Sequence, residues 1–131
     1  MIESFSVKTP GRSGMLSITR EIADAVRSLG VTDGAVAVYT PHTTAGITIN
    51  ESADPAVVRD IVTTLDETFP QRSDYHHAEG NSDAHIKSSL VGCSEVVLVS
   101  GGRLMLGTWQ GVFFCEFDGP RTRTVHVSAM G

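Results

Sequence analysis

Two histidines, two carboxylates and an amide are crowded into residues 77–85. Imidazole nitrogens, carboxylates and amide oxygens are the groups with which proteins bind divalent metals and transfer protons. The stretch 70–81 has little apolar content and cannot pack a core, and a polar loop of this kind is commonly a functional one. We therefore expect the chemical site of this protein in that loop and in the helix that follows it.

The helix after this loop is predicted to begin at a capping Ser82 and to end at Gly92. His85 then lies in the first turn, where the partial positive charge of the helix terminus opposes protonation and leaves a lone pair for a metal or a proton. The same terminus can bind an anion on its free amides, with Lys87 as a counter-charge. One short segment can therefore hold both a cation and a phosphate.

A third imidazole, His42, is expected on the loop between two predicted strands. Three imidazoles with one open position form a familiar divalent-metal site, most naturally for zinc, so His42, His77 and His85 are the predicted ligands. The spacing between His77 and His85 matches no short zinc motif, and a set of polar loop histidines is the alternative. His76 could replace His77, whereas His126, within an alternating strand, is interpreted as a surface or packing residue.

Three carboxylates are candidates for catalysis beside these imidazoles. Glu51, at the end of a predicted strand, and Glu79 could orient metal ligands or act as a general acid or base, and ordinary exposed glutamates are the alternative. Asp60 falls on the face of its helix opposite the apolar stripe, so within one subunit it is expected to be solvated. A role for Asp60 therefore requires a partner chain or a groove that covers it.

Composition predicts one ordinary globular domain over residues 1–131, since 40% of the residues are hydrophobic and only 19% are charged. A net charge of −5 argues against general nucleic-acid or membrane-surface binding, which needs a basic face. The N-terminus lacks the apolar core of a signal peptide and no run is long enough to span a membrane, so we expect a cytoplasmic protein. Cys93 and Cys115 have no zinc or redox spacing and are expected to be free thiols, with Cys115 in the core.

Periodicity predicts helices capped by Ser17 or Thr19, by Asp54 and by Ser82, and strands at residues 2–8, 34–39, 45–50, 95–100, 103–106, 112–117 and 121–128. The strands at 34–39 and 45–50 are expected to form a hairpin or to lie side by side. Because the strands come in adjacent runs, with helices only in the first two-thirds, the fold class is α+β, with a largely antiparallel sheet folded into a sandwich or flattened barrel. A doubly wound parallel sheet is the alternative.

Five blocks of the sequence form a recognisable series, at residues 42–51, 53–55, 77–85, 106–111 and 116–121. In this order they resemble the YjbQ-like family of secondary thiamine-phosphate synthases, and the match covers nearly the whole chain. The unusual segment Gly107-Thr108-Trp109-Gln110 makes the match more specific than a single motif would be. The resemblance implies a compact α+β protein, a homotrimer, and a polar pocket that can hold a divalent metal.

Position by position, the resemblance implies that the polar residues of the family fall on His42, Asn50, Glu51, Asp54, Asp60, His77, Glu79, Asn81, His85, Trp109, Gln110 and Arg121. From this set we expect catalysis by Glu51, Glu79 and Asp60. Substrate binding is expected from Asn50, Asn81, Gln110 and Arg121, together with Lys87. For Trp109 we favour packing in the core or in an interface over ligand stacking, because its large apolar area dominates packing.

The predicted function is that of a metal-binding enzyme with secondary thiamine-phosphate synthase activity, which joins a pyrimidine pyrophosphate to a thiazole phosphate. Helix-terminal amides and a metal would stabilise the departing pyrophosphate. Zinc is favoured because imidazoles are its usual ligands, although magnesium on carboxylates is the usual partner of pyrophosphate. The alternatives are a metal-dependent hydrolase of a small phosphorylated or amide metabolite, and a metal or metabolite binding module with incidental turnover.

Overall fold

Eight strands and three helices make up the structure, a computed structural model that describes residues 1–131. The helices are α1 (Thr19–Leu29), α2 (Pro55–Thr68) and α3 (Ser82–Val91). The strands are β1 (Ile2–Lys8), β2 (Gly14–Ser17), β3 (Gly34–Tyr39), β4 (Ala45–Glu51), β5 (Ser94–Ser100), β6 (Arg103–Leu104), β7 (Gln110–Glu116) and β8 (Thr122–Met130). Only β2 was not predicted, because its four residues are too short to show an alternating pattern.

The strands form two antiparallel sheets, in the orders β1-β8-β3-β5-β6 and β2-β7-β4. This confirms the predicted α+β class with antiparallel sheets. The expected pairing of β3 with β4 is wrong, because the two strands lie in different sheets. The linker 40–44 between them contains Pro41 and no glycine, so it lacks the residues of a tight hairpin turn and instead crosses from one sheet to the other.

A single large core fills the space between the two sheets. β3 and β8 contribute Val36, Val38, Val125 and Val127 from one side, and the small sheet contributes Ile47, Val112 and Phe114 from the other. Helix α1 closes the core with Ile22 and Val26, both fully buried. Alternating strand residues therefore point inward, as the sequence pattern predicts.

Helix α1 starts differently from the prediction. Neither Ser17 nor Thr19 caps it through a side chain, and Ile18 is the N-cap residue. The hydroxyl of Thr19 instead accepts a hydrogen bond from the Val112 amide at 2.9 Å, which ties the helix start to β7. The predicted end is confirmed, since Gly30 adopts the left-handed conformation with φ of 70°.

Helix α3 lies on the outer face of the small sheet, where Ala84 packs against Cys115 and Phe117. Gly46 makes this close packing possible, because a Cβ there would lie 2.8 Å from the Gly92 carbonyl oxygen. The Ser88 hydroxyl also donates to the Ala45 carbonyl at 2.6 Å. The end of α3 is therefore fixed against β4, beside the linker 40–44.

Helix α2 begins as predicted, with the Asp54 carboxylate accepting a hydrogen bond from the Ala56 amide at 2.9 Å. Its apolar stripe is only half covered, and no residue of α2 is buried. A helix with a large uncovered apolar stripe is unusual in an isolated domain. No helix in the structure has the length and apolarity needed to cross a membrane.

Candidate functional site

The three predicted imidazoles meet at one cavity of about 410 Å³, which we call the histidine cavity. Apart from Pro41, every residue that lines it is polar or charged: His42, Thr43, Thr44, His77, Glu79, Asn81, His85, Asp118, Arg121 and Arg123. Four elements contribute, namely the linker 40–44, the loop 70–81, the start of α3, and the turn and strand around β8. The fold therefore brings together residues that are far apart in the sequence.

His77 and His85 are neighbours at this cavity. Their ring centroids are 5.4 Å apart and the ring planes are nearly perpendicular, at 88°. His85 lies in the first turn of α3 as predicted, although Asn81 rather than Ser82 is the N-cap residue and makes no capping side-chain hydrogen bond. The Glu79 carboxylate lies 4.0 Å from Nε2 of His77.

His42 is already engaged by the backbone. Its Nε2 accepts a hydrogen bond from the Thr124 amide at 2.9 Å. A neutral imidazole has one donor and one acceptor nitrogen, so this bond places the proton on Nδ1. Burial first, and then the positive charge of Arg123, lower the pKa of His42 below its usual value and keep the ring neutral. His42 therefore offers the cavity an N–H donor, and metal ligation through Nε2 would require the loss of the Thr124 bond.

No group of three His, Cys, Asp or Glu side chains is arranged to hold a metal ion in this structure. The pair His77 and His85 has the best placement for one. Two imidazoles bound to one tetrahedral zinc ion have ring centres roughly 5 Å apart, which follows from a Zn–N distance of about 2.1 Å. The metal site stays a prediction, with this pair as its centre.

Asn81 carries the one buried side-chain atom that lacks a hydrogen-bond partner, its Oδ1. The orientation of the amide is fixed, because its Nδ2 donates to Asp118 at 2.8 Å. Asp118 also accepts from the Arg121 side chain, through a carboxylate oxygen at 3.1 Å and through its carbonyl at 2.8 Å. An unpaired buried acceptor costs about 1–3 kcal/mol, and Asn81 carries this cost where it lines the cavity.

A buried ion pair forms the floor of the cavity, and the sequence analysis missed it. Arg123 donates to both carboxylate oxygens of Glu116, and its Nη2 also donates to the Thr44 hydroxyl at 2.9 Å. Burial alone would raise the pKa of Glu116, but hydrogen bonds from Arg123, the Asp118 amide and Thr9 outweigh it and hold the pKa below its usual value. The signal was present, since Arg123 shares the inward register with Val125.

Four predicted site residues lie away from the histidine cavity. Asn50 and Glu51 are at the far end of β4, next to Gln110 in the β ladder. Two of their polar groups are used locally, because Asn50 accepts from the Glu51 amide at 2.7 Å and Gln110 accepts from the Gly107 amide at 2.8 Å. Asp60 lies on α2 beside a small surface depression that Leu65 also lines. Within one chain, none of them contacts the histidine cavity.

Lys87 is also absent from the histidine cavity, although it lies on the same helix as His85. Its ammonium group is buried and pairs with Asp66 at 2.5 Å and Asp83 at 3.6 Å. Asp83 in turn accepts from Arg12 at 3.0 Å. Positions 85 and 87 point to opposite sides of a helix, so Lys87 serves a buried charge network and not the predicted anion site.

Comparison with known proteins gives matches over the full chain. A family model described as UPF0047 protein YjbQ-like matches residues 3–131. The UPF0047 protein YugU of Bacillus subtilis is 52% identical, and the alignment covers 100% of both chains. The UPF0047 protein MJ1081 of Methanocaldococcus jannaschii is 50% identical, with 100% of this chain and 95% of that protein covered.

Solved structures show the same fold. A YjbQ/UPF0047 family protein from Clostridium acetobutylicum superposes with a TM-score of 0.95 at 52% identity, covering 98% of this chain and 99% of the other. The hypothetical protein APE1520 of Aeropyrum pernix gives a TM-score of 0.94 at 39% identity, covering 100% and 98%. These matches confirm the family resemblance and the fold class that the sequence predicted.

Proposed function

We propose that this chain, which belongs to the UPF0047 YjbQ-like family, is a metal-binding enzyme that holds the phosphate or pyrophosphate group of a small metabolite in its histidine cavity. The observation that carries the proposal is the lining of that cavity, which combines arginine and imidazole groups with no hydrocarbon side chain except Pro41. We further propose secondary thiamine-phosphate synthase activity as its reaction.

Two donors support the binding of an anion. Arg121 is half exposed and uses Nε and Nη2 on Asp118, which leaves Nη1 for a ligand. His42 directs its Nδ1–H away from Thr124, whose amide occupies Nε2. The charge of Arg123 disfavours a second cation at His42, and the same field favours an anion there.

For the metal, His77 and His85 are the residues that fit. Imidazole nitrogens favour zinc or another transition metal over magnesium, so zinc remains the favoured ion. Asn81 lies on the wall of the same cavity, with its Oδ1 buried and without a partner in the chain. When bound, such an ion would supply Lewis acidity to a phosphate oxygen.

In the synthase reaction, the bond that forms joins the pyrimidine and thiazole parts, and the bond that breaks releases pyrophosphate. The residues of the chain bind and orient the leaving group: Arg121 and the His42 N–H donate to its oxygens, where negative charge develops. Preorganised donors of this kind need no rearrangement during the reaction. The loop that carries Glu79 is exposed to solvent, so exclusion of water is not built into one chain.

A hydrolase is the second candidate, and the position of Glu79 favours it. The carboxylate is exposed and lies 4.0 Å from His77, so it is free to take a proton from a water molecule near the imidazoles. The substrate would again be a small phosphorylated metabolite, since the same donors would hold its phosphate.

We also propose a homotrimer, as the family resemblance implies. Helix α2 has no buried residue, and Trp109 is 63% exposed in a single chain. Asp60, Glu51, Asn50 and Gln110 lie outside the histidine cavity of their own chain. A neighbouring subunit that covers α2 and Trp109 would bury this apolar surface. These polar residues could then contribute to a site at the interface between two subunits.

A steady-state assay tests the proposal. Protein purified without an affinity tag is supplied with the pyrimidine pyrophosphate and the thiazole phosphate, each alone and together, with zinc or magnesium. A synthase consumes both precursors and releases pyrophosphate only when both are present. Release from the pyrimidine pyrophosphate alone identifies a hydrolase. Tight binding of pyrophosphate without turnover would indicate a binding module and would contradict the proposal of an enzyme.

A further inference from the structure

A second cavity adjoins the histidine cavity. It has a volume of about 480 Å³ and shares Pro41, His42, Thr43 and His85 with its neighbour. Its other walls come from the end of β3 and from the last turns of α3, where Tyr39 and Ser89 lie. We call it the tyrosine cavity. The two cavities are adjacent and together form what we call the cleft, with His42 and His85 in the wall that they share.

The two halves of this cleft differ in charge. The histidine cavity is lined by two carboxylate side chains, Glu79 and Asp118, and by two guanidinium side chains, Arg121 and Arg123. No Asp, Glu, Lys or Arg lines the tyrosine cavity, which instead presents hydroxyl groups, an aromatic ring and a thiol. A charged group would lose solvation in the second cavity without gaining a partner, whereas an uncharged group would not.

From this division we infer that the ligand has two parts, with its phosphate group in the histidine cavity and an uncharged, planar ring in the tyrosine cavity. The bond between the two parts then lies over His42 and His85. This inference rests on the proposed function, and it assigns the tyrosine cavity as a binding subsite for the ring.

Tyr39 is prepared to receive such a ring. Its side chain is 44% exposed. Its ring is stacked on His126, which does not line the cavity, with centroids 6.3 Å apart and an angle of 19° between the planes. His126 is itself fixed by a 2.7 Å hydrogen bond between its Nδ1 and the Ser4 hydroxyl. An exposed aromatic face that is held from behind can stack on a planar ligand with little loss of side-chain entropy.

The hydroxyl groups around the cavity suit the polar edge of a heterocycle. The Ser88 hydroxyl donates its proton to the Ala45 carbonyl, so it can only accept a hydrogen bond from a ligand. Ser89 and Thr43 are exposed and make no side-chain hydrogen bond within the chain, so they can donate or accept. A ring nitrogen or exocyclic amine, rather than a pure hydrocarbon, matches these groups.

The test compares two probes on the wild type and three variants by isothermal titration calorimetry. Inorganic pyrophosphate reaches only the histidine cavity, whereas the pyrimidine pyrophosphate carries the same anion on an uncharged heteroaromatic ring. Ser89→Trp fills the tyrosine cavity from an exposed position of α3. Leu90→Trp is the matched control, because Leu90 is the next residue, is exposed, and lines neither cavity.

We expect Ser89→Trp to weaken binding of the pyrimidine pyrophosphate about tenfold, the scale of losing one stacked aromatic contact, and to leave the affinity for inorganic pyrophosphate unchanged. Leu90→Trp should bind both probes like the wild type. Tyr39→Ala serves as a second variant with the same expected pattern as Ser89→Trp, so the test does not depend on one substitution.

Two results would overturn the inference alone. One is a wild-type protein that binds the pyrimidine pyrophosphate no more tightly than inorganic pyrophosphate, and the other is a Ser89→Trp protein that binds both probes like the wild type or loses both equally. A wild type that fails to bind pyrophosphate would instead overturn the proposed function, and the inference with it.

Discussion

Nε2 of His42 accepts a hydrogen bond from the backbone amide of Thr124 at 2.9 Å, across 82 residues of sequence. This contact fixes the ring in its Nδ1–H form. It also makes the free energy of unfolding depend on pH, in a direction that can be stated. The pKa of His42 is lowered in the folded protein, first by burial and then by Arg123, so the unfolded chain binds the proton more readily.

Neutral His42 should therefore make its full contribution to the free energy of unfolding above pH 6.5, the ordinary pKa of histidine. That contribution should be lost as the pH falls through the lower pKa that His42 has in the folded protein. Urea unfolding between pH 8 and pH 5 should show a decline that is smaller in His42→Gln. Nitrogen chemical shifts should show the Nδ1–H tautomer. An Nε2–H tautomer would contradict the role of His42 as an N–H donor to the cavity.

His77 and His85 should hold the metal together. His85→Ala should lower zinc affinity by more than the roughly 10–100-fold that removal of a supporting hydrogen bond costs, because a direct ligand is lost. A zinc titration measures the affinity, and elemental analysis of untagged protein measures the zinc content. His126→Ala is the control and should keep its metal, since His126 contacts Tyr39 and Ser4 instead. Full zinc content in His85→Ala would place the site elsewhere.

The Glu116–Arg123 ion pair at the floor of the cavity should contribute strongly to the free energy of unfolding. Both side chains are almost fully buried, at 1% and 4% exposure. Glu116→Gln should lower the free energy of unfolding by about 3–5 kcal/mol, because Arg123 keeps a buried charge without its counter-ion. Asp74→Asn breaks a comparable but exposed pair with Arg72 and should leave stability unchanged. Equal losses in the two variants would show that burial is not the cause.

Lys87 should support the fold without contributing to ligand binding. Lys87→Met leaves Asp83 with Arg12 alone and should lower the free energy of unfolding by about 3 kcal/mol. The affinity for pyrophosphate, measured on the folded variant, should not change. Lys8→Met removes an exposed lysine and controls for net charge. Loss of pyrophosphate binding in Lys87→Met alone would restore the counter-charge role that the sequence indicated.

Trp109 should act in assembly. Its 63% exposure excludes an anchor in the core of its own chain, and the large apolar ring then fits an interface. Light scattering of the wild type at micromolar concentration should give a trimer, and Trp109→Ala should shift it toward the monomer. Met105→Ala, at a similarly exposed apolar residue, should not. A monomeric wild type would show that the homotrimer proposal is wrong.

Much of the fold was determined by local sequence. The inward valines of β3 and β8, the Asp54 cap of α2 and Gly30 at the end of α1 follow from alternation and capping rules. These features depend on residues that are close together in the chain. The loop 70–81 was likewise recognised as part of the site, because its polar composition cannot pack a core.

Only the tertiary structure decided which of the candidate residues meet. Asn81, Glu79 and Arg121 join the imidazoles, whereas Glu51 and Asp60 do not, because β4 and α2 carry those carboxylates away from the cavity. The prediction that Lys87 lies at the anion site is wrong for a related reason. Its helix position was predicted correctly, but the carboxylates that surround it come from other elements.

The state of His42 could not be read from the sequence either. A histidine on a loop looks equally suited to a metal, a proton or water, and the choice depends on what occupies its second nitrogen. Here that group is the amide of Thr124 in β8, which the sheet pairing of β3 with β8 brings beside the linker. The sequence by itself specified the chemical groups of this site, and the long-range pairing of strands specified their protonation, partners and access, because these depend on distances that local patterns do not encode.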